Sequence, residues 1–355
     1  MEGDQGSSSF PIGSSAPERG LSYVPKCYAV QSPDRPSTSP ETANVPVIDL
    51  GRLRQGTPSH KRIEVIKEIG DACRQMGFFQ VVNHGICQST LDGAISAASD
   101  FFKLPGQEKT KFMSNDVHKP IRYGTSLKDG DDKVQFWRIF LKHYANPLSK
   151  WIHLWPTSPP HFRENMGSYC TEVMKLAGLL MGAITESLGL GPTYLSNKME
   201  EGTQVIALNC YPPCPNPEIA LGLPPHSDYS CLTIMLQSFP GLEIVAGSED
   251  GKWRLVPRLH GALQVHVGDH IEVLSNGLYK SVIHRARLNS ERTRISIASL
   301  HSLGMDEKMA TAEELVDDEH PKGYKESSFR DFLDFLSKND IAEGKTFINT
   351  LKIQK

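Results

Sequence analysis

The stretch GLPPHSDYSCLTIMLQ (222–237) sets a histidine and an aspartate two positions apart at the head of an otherwise apolar run. If that run is one strand, His226 and Asp228 leave it on the same face while Ser227 leaves it on the other. Side chains of those types, held side by side, are adjacent ligands for a metal. A third ligand must come from a different strand, and His284 in YKSVIHRARL stands late enough in the chain to supply it. Two neutral imidazoles and one carboxylate on one side of a metal form a facial triad. Such a triad suits Fe(II) and leaves the opposite coordination positions open for oxygen chemistry.

Taken singly, these residues carry little weight. A lone histidine in a strand is more often a satisfied core or surface residue, and His266 and His270 are read that way. A bare His-x-Asp also occurs by chance. A second pair changes the balance: ten positions after His284 come Arg294 and Ser296 in TRISIASL, again two apart. An arginine in an apolar strand is costly unless paired, and its planar fork matches a carboxylate in a bidentate fashion. The alternative is a structural ion pair with a nearby acid, which would leave Ser296 and the His/Asp pair unconnected. A zinc hydrolase on the same triad is a further alternative, and it would give Arg294 no obvious purpose.

These residues need a scaffold of strands. From 203 onward the chain breaks into short β-rich runs separated by Pro- or Gly-containing turns: QVIALNCY, CLTIMLQ, GLEIV, KWRLVP, GALQVHVG, HIEVLS, SVIHRARL and RISIASL. About eight short strands with turn signals predict a sandwich or jelly-roll barrel. Upstream, VPVIDL (45–50) reads as a strand. SHKRIEVIKEIGDACRQMG (59–77) reads as a helix with a Ser N-cap, an apolar face of Ile63, Ile66, Ile69 and Cys73, and Gly77 closing it. FFQVVNHG (78–85) reads as a buried strand and STLDGAISAASDFFKLP (89–105) as a second helix stopped by Pro105. Residues 106–158 are expected to be irregular apart from an extended QFWRIFLKHY (135–144), followed by a long helix from about 160 to 188. SFRDFLDFLSKND (328–340) carries Phe329, Phe332, Leu333 and Leu336 on one face, so it is expected as a helix covering something apolar.

Length and composition are those of a globular protein: 355 residues with a net charge of −3 and interspersed acids and bases. That balance argues against a nucleic-acid footprint or a membrane surface and for a small-molecule partner. No apolar run approaches the ~20 residues a membrane span needs. The seven cysteines are scattered without metal-site spacing, which fits a reducing compartment. Residues 1–44, rich in Ser, Pro and Gly, are expected as a flexible arm, and Glu2 and Asp4 argue against a transit peptide. A cytoplasmic monomer is expected, with the nucleus as a second compartment.

With His226-Ser227-Asp228, His284 and Arg294-Ile295-Ser296 in place, the chain closely resembles the plant 2-oxoglutarate- and Fe(II)-dependent dioxygenases of specialised metabolism. These are the relatives of anthocyanidin synthase, flavonol synthase, gibberellin oxidases and salicylate hydroxylases of the downy-mildew-resistance type. Further carriers of the likeness are NCYPPCPNPEIALGLPPHSDYSCLTIMLQ, GKWRLVP, VGDHIEVLSNGLYKSVIHR, VPVIDL and GFFQVVNHGI, and it covers roughly residues 45–340.

The resemblance implies an α+β chain: a mostly helical N-terminal region (45–200), a double-stranded β-helix (jelly-roll) core (201–305) and a C-terminal helical region (306–355). It implies Fe(II) on His226, Asp228 and His284, with 2-oxoglutarate and O2 as cosubstrates and ascorbate as reductant. Arg294 and Ser296 would hold the distal carboxylate of oxoglutarate, and Asn209 and Tyr211 would help to seat it. The Asn-x-Tyr spacing favours the oxoglutarate-using branch. Cys210 stands where tyrosine is common, which implies a roomier pocket there.

By position, Tyr123, Phe140, Ala207, Leu300 and Ser302 are expected in the substrate wall, with Phe332 or Phe335 as a lid; core packing is the competing role for each aromatic. Ala207 and Leu300 replace the lysine and phenylalanine of several flavonoid-acting relatives, which implies a small aromatic or mostly apolar plant metabolite or hormone. The expected reaction is hydroxylation or desaturation with release of succinate and CO2. A catalytically silent, ligand-sensing member is the rival, and the complete triad argues against it.

Overall fold

The computed structural model describes residues 10, 13–53, 58–125, 134–245, 251–339 and 346–354. In chain order its strands are β1 (Glu41–Thr42), β2 (Val47–Asp49), β3 (Phe78–Val82), β4 (Ile121–Gly124), β5 (Ile139–Asn146), β6 (Thr203–Tyr211) and β7 (Leu223–His226). Then follow β8 (Leu232–Gln237), β9 (Leu242–Val245), β10 (Arg254–Leu255), β11 (Leu263–Val267), β12 (Ile283–Ala286) and β13 (Arg294–Ser302). They form an eight-stranded sheet, β2-β3-β11-β8-β13-β6-β5-β4, and a five-stranded sheet, β1-β10-β9-β12-β7. Side chains from both sheets line one cavity, as expected of a jelly roll.

Alternation decides which side chains reach that cavity. Along β13, Arg294, Ser296, Ala298 and Leu300 turn inward, while Ile295 and Ile297 turn outward into the main core. The helices Ser59–Gln75, Gln88–Lys103 and Phe162–Ser187 cover that outer face, sharing the core through Ile69, Phe101, Val173 and Leu176. The Phe101 and Phe162 rings meet at 5.7 Å.

Several local expectations fail for identifiable reasons. The run 222–237 is two strands in different sheets: β7 ends at His226, and the chain crosses between sheets before β8 begins. Asp228 therefore lies in the crossing, where its backbone carbonyl accepts from Ser230 and Asp269 rather than from a sheet neighbour. HIEVLS is not a strand: residues 270–274 lie in the helix Asp269–Leu274, where Glu272 N–H donates to the Gly268 carbonyl, and Ser275 caps it; six residues with Ile271, Val273 and Leu274 apolar are too few for their spacing to separate period two from a helical turn. Eight strands do run from Thr203 onward, with β7 taking the place given to HIEVLS.

Within 106–158, β4 pairs with β5, so that region is less irregular than expected. Ser59 is the first helical residue and Pro58 the cap, and Ile63 is exposed because Val65 takes its place in the core. The expected C-terminal helix forms over Phe329–Lys338, capped by Ser328 and Asp331, and the remainder of 328–340 ends at Asp340, outside the described residues.

The arm expected to be flexible is bound from residue 13 on; residues 1–9, 11 and 12 lie outside the described residues. Phe10 and Gln135 exchange two hydrogen bonds, and the buried Tyr28 ring meets Trp137 edge-on at 5.5 Å. Ala16 and Tyr28 share a small core with Tyr211 and Leu288, so the arm buries apolar surface against the barrel.

Buried histidines make this fold sensitive to acid. Loss of hydration pushes His143, His226, His266, His270 and His301 each down to about 3. Since the unfolded chain binds these protons first, their stability is complete above the unfolded value near 6.5 and is lost as pH falls below it. Each group costs about 1.4 kcal/mol per pH unit in that interval. Asp269 runs the other way: burial raises it to about 7, so its share is lost as pH rises through 7. Histidines outnumber it, so the thermal midpoint measured by circular dichroism is expected to drop steeply between about pH 6.5 and 5. A flat midpoint across that interval would contradict this balance.

Candidate metal centre and cosubstrate cavity

His226 ends β7, His284 lies in the adjacent β12, and the two are direct cross-strand partners. Their rings meet at 4.1 Å. The crossing after β7 turns Asp228 back toward them, so Asp228 Oδ1 lies 3.7 Å from His226 Nε2 and 3.7 Å from His284 Nε2. One ligand atom from each residue lies within 4.8 Å of the others, a grouping that could hold a metal ion.

Tautomers follow from the backbone. His226 Nδ1 lies 2.8 Å from the Pro224 carbonyl and His284 Nδ1 lies 3.2 Å from that of Val282. A carbonyl only accepts, so both Nδ1 atoms carry the proton and both Nε2 lone pairs face Asp228. Burial would raise the Asp228 carboxyl, but His284, His226 and His266 around it hold it below its ordinary value. His226 is pushed down to about 3 by burial and then by His284. Near neutral pH these two groups therefore stand in their ligating forms, neutral imidazole and carboxylate.

The expected anchor lies across a cavity of about 180 Å³. Arg294 faces Tyr211 and Ser296 faces Asn209 in the β13–β6 register, and all four line the cavity with the triad. Arg294 Nε donates to the Phe239 carbonyl (3.1 Å) and an NH2 proton goes to Gln237 Oε1 (2.8 Å), while the guanidinium sits 4.9 Å from the Tyr211 ring centroid. Its remaining nitrogen, NH1, is buried with no hydrogen-bond partner among the described residues. No acid within the described residues pairs with Arg294, so the structural ion-pair alternative has no partner there. A Cβ on Gly241 would fall 2.7 Å from Arg294 Cδ, so the bare backbone at 241 makes room for this arginine.

The expected substrate wall divides. Ala207 and Leu300 line the cavity. Tyr123, Phe140, Ser302 and Phe332 do not. Tyr123 is fully buried and donates to Glu18 of the arm (2.6 Å), and Phe140 is flanked by Arg122 and Arg138. Ser302 is buried at the far end of β13. Phe332 stacks on Tyr229 at 4.6 Å and Phe335 meets Phe347, so the C-terminal helix braces the residue after Asp228 rather than covering the cavity. Cys210 gives no extra room, because alternation sends it to the outer core.

Arg138, Leu223, Met235, Leu242 and Ala286 also line the cavity and were not anticipated. Their inward parity was readable along each strand; which strands face one another was not. His266, read as an ordinary core histidine, proves to sit beside Asp228, at 3.6 Å.

Comparison with known proteins agrees with this geometry. Residues 202–302 match the family model of the 2OG-Fe(II) oxygenase superfamily, and residues 45–158 match that of the non-haem dioxygenase in morphine synthesis N-terminal region. The chain is 52% identical to 2-oxoglutarate-dependent dioxygenase 21, chloroplastic, of Oryza sativa subsp. japonica, over 90% of this chain and 94% of that protein. It is 48% identical to Flavanone 3-dioxygenase 3 of the same plant, over 90% and 96% of the two chains. Identity to Protein DOWNY MILDEW RESISTANCE 6 of Arabidopsis thaliana is 37%, over 89% and 92%. The crystal structure of JOX2 in complex with 2OG, Fe and JA has a TM-score of 0.83 at 30% identity, over 95% of this chain and 96% of that one. Among the described residues no helix is long and apolar enough to cross a membrane. The chain belongs to the plant 2-oxoglutarate- and Fe(II)-dependent dioxygenases, oxidoreductases of the 2OG-Fe(II) oxygenase superfamily.

Proposed function

We propose that His226, Asp228 and His284 hold Fe(II), that Arg294 and Ser296 hold the distal carboxylate of 2-oxoglutarate, and that the enzyme hydroxylates a small, mostly apolar plant metabolite or hormone. The observation that carries this reading is the meeting of a two-imidazole, one-carboxylate donor set and a buried arginine with an unpartnered N–H in one small cavity. The donors suit iron: one anion and two oriented lone pairs on one side, with the other coordination positions left to cosubstrates. When bound, Fe(II) with oxoglutarate and O2 supplies the oxidation of a substrate C–H bond, yielding succinate and CO2.

The protein's part is placement. Arg294 supplies a fixed fork for a carboxylate. Ser296 and Asn209 add polar contacts on the same wall, and Tyr211 backs the guanidinium. Leu223, Met235, Leu242, Ala298 and Leu300 form an apolar wall that excludes water and favours apolar carbon near the metal. The relative named for flavanone and the JOX2 complex with JA support a small organic substrate. Ascorbate as reductant, a monomeric state and a cytoplasmic location complete the proposal. The name of the rice relative includes "chloroplastic", so a fluorescent fusion in leaf cells is the test of location.

To test the reaction, the protein is incubated with Fe(II), ascorbate, oxoglutarate, air and a pool of plant metabolites that includes flavanones and plant hormones. Succinate release matched by a product heavier by one oxygen is expected. No turnover above an Asp228→Ala control across the pool would overturn the proposal in favour of a silent, ligand-binding member.

A further inference from the structure

His266 has no role in the site described so far, yet its placement is unusual for a core histidine. It lies on β11, fully buried, and neither ring nitrogen has a hydrogen-bond partner among the described residues. A buried polar group left in that state is destabilising. Apolar and aromatic neighbours hold the ring in place: it meets Phe78 edge-on at 5.0 Å and His284 edge-on at 4.6 Å. The polar atom it faces is Asp228 Oδ2, 3.6 Å from Nδ1.

The two oxygens of Asp228 thus have different surroundings. Oδ1 is the atom shared between the Nε2 atoms of His226 and His284. Oδ2 is turned toward His266, whose cross-strand partner is Thr233. A 3.6 Å separation lies just beyond hydrogen-bond range, and a small rotation of either side chain closes it. Contacts of this kind tighten when an active site is loaded. An imidazole carries at least one ring N–H, so His266 has a proton to give.

We propose that His266 is a positioning residue for Asp228, its Nδ1–H holding Oδ2 so that the carboxylate meets the metal through Oδ1 alone and leaves the remaining coordination positions to oxoglutarate and O2. The inference rests on the reading of Asp228 as a metal ligand. A carboxylate released from that hold is free to bring both oxygens to the metal and occupy a position the cosubstrates need. Outer contacts of this type orient ligands, and their loss typically costs 10–100-fold in metal affinity or activity.

The test uses the full chain and four variants: His266→Phe, which keeps a ring but removes the donor; His266→Asn, which restores a donor; His266→Leu, in case the phenylalanine does not fit; and Asp228→Ala. Mn(II) affinity is read from the metal-dependent shift of thermal unfolding, and coordination from the visible spectrum of the Co(II)-loaded protein. His266→Phe, or His266→Leu if phenylalanine prevents folding, is expected to weaken Mn(II) binding about tenfold or more and to change the Co(II) spectrum. His266→Asn is expected to recover both. Affinity and spectrum unchanged in the donor-less variant would overturn the proposal, as would equal impairment with and without the donor, because packing alone would then explain the effect. Undiminished metal binding by Asp228→Ala would instead overturn the ligand reading on which the inference rests.

Discussion

Asp228→Ala is expected to reduce succinate release by more than about a hundredfold, beyond the 10–100-fold typical of losing an outer contact to a metal site. The triad has a single anion, and its Oδ1 lies 3.7 Å from the Nε2 atoms of both His226 and His284. Without it, two neutral imidazoles face a dication whose desolvation nothing offsets. His226→Ala and His284→Ala should fail in the same way by leaving a bidentate remnant. The loss should also appear without turnover. A metal present at a hundred times its Kd stabilises the protein that binds it by about 2.7 kcal/mol, and the Asp228 variant should show none of that Mn(II)-dependent gain in thermal unfolding. A variant that keeps both the gain and the turnover would remove Asp228 from the metal site.

Arg294→Lys is the second large effect, and it should fall on the cosubstrate. The arginine enters the cavity with Nε and NH2 already held by Phe239 and Gln237, which fixes the plane in which NH1 is presented. Lysine keeps the charge and loses the fork, so the KM for oxoglutarate should rise about 10–100-fold, the equivalent of one charge-assisted hydrogen bond of roughly 1.5–3 kcal/mol. Turnover at saturating oxoglutarate should fall much less. Ser296→Ala, which lies beside Arg294 on the same face, should give a smaller rise in KM that is not additive with the first. An unchanged KM in Arg294→Lys would end the assignment of this residue as the anchor.

Why some of this was legible in the sequence and some was not follows from the range of the interactions involved. The pairing of Arg294 with Ser296, and of Asn209 with Tyr211, is local: period two alone places each pair on one face, and the β13–β6 register then brings the faces together. The same rule singles out His226 and Asp228, but the pleat is not what brings them together. They share no strand, because the chain changes sheets between them, and a backbone turn rather than the pleat brings Asp228 back.

His266 obeys the same alternation along β11, yet its significance depends on β11 lying beside β8 and behind the crossing that carries Asp228. No spacing within the chain reveals that. The substrate wall shows the same division. All its candidates are expected there by position; Ala207 and Leu300 also have the inward parity of β6 and β13, whereas Tyr123, Phe140 and Phe332 are aromatic rings, which pack in cores at least as readily as in pockets. Composition points to a flexible arm because it reports the tendency of a segment taken alone, whereas the contacts of Tyr28 with Trp137 are made more than a hundred residues away.

The central claim, that one cavity joins a triad for iron to an arginine for oxoglutarate, is tested most directly by crystals grown with Fe(II) and oxoglutarate without oxygen and measured for anomalous scattering at the iron edge. The account predicts one strong peak within about 2.2 Å of His226 Nε2, Asp228 Oδ1 and His284 Nε2, with oxoglutarate extending from it to a bidentate contact on Arg294. A peak ligated by other residues, or an oxoglutarate carboxylate seated away from Arg294, would contradict it.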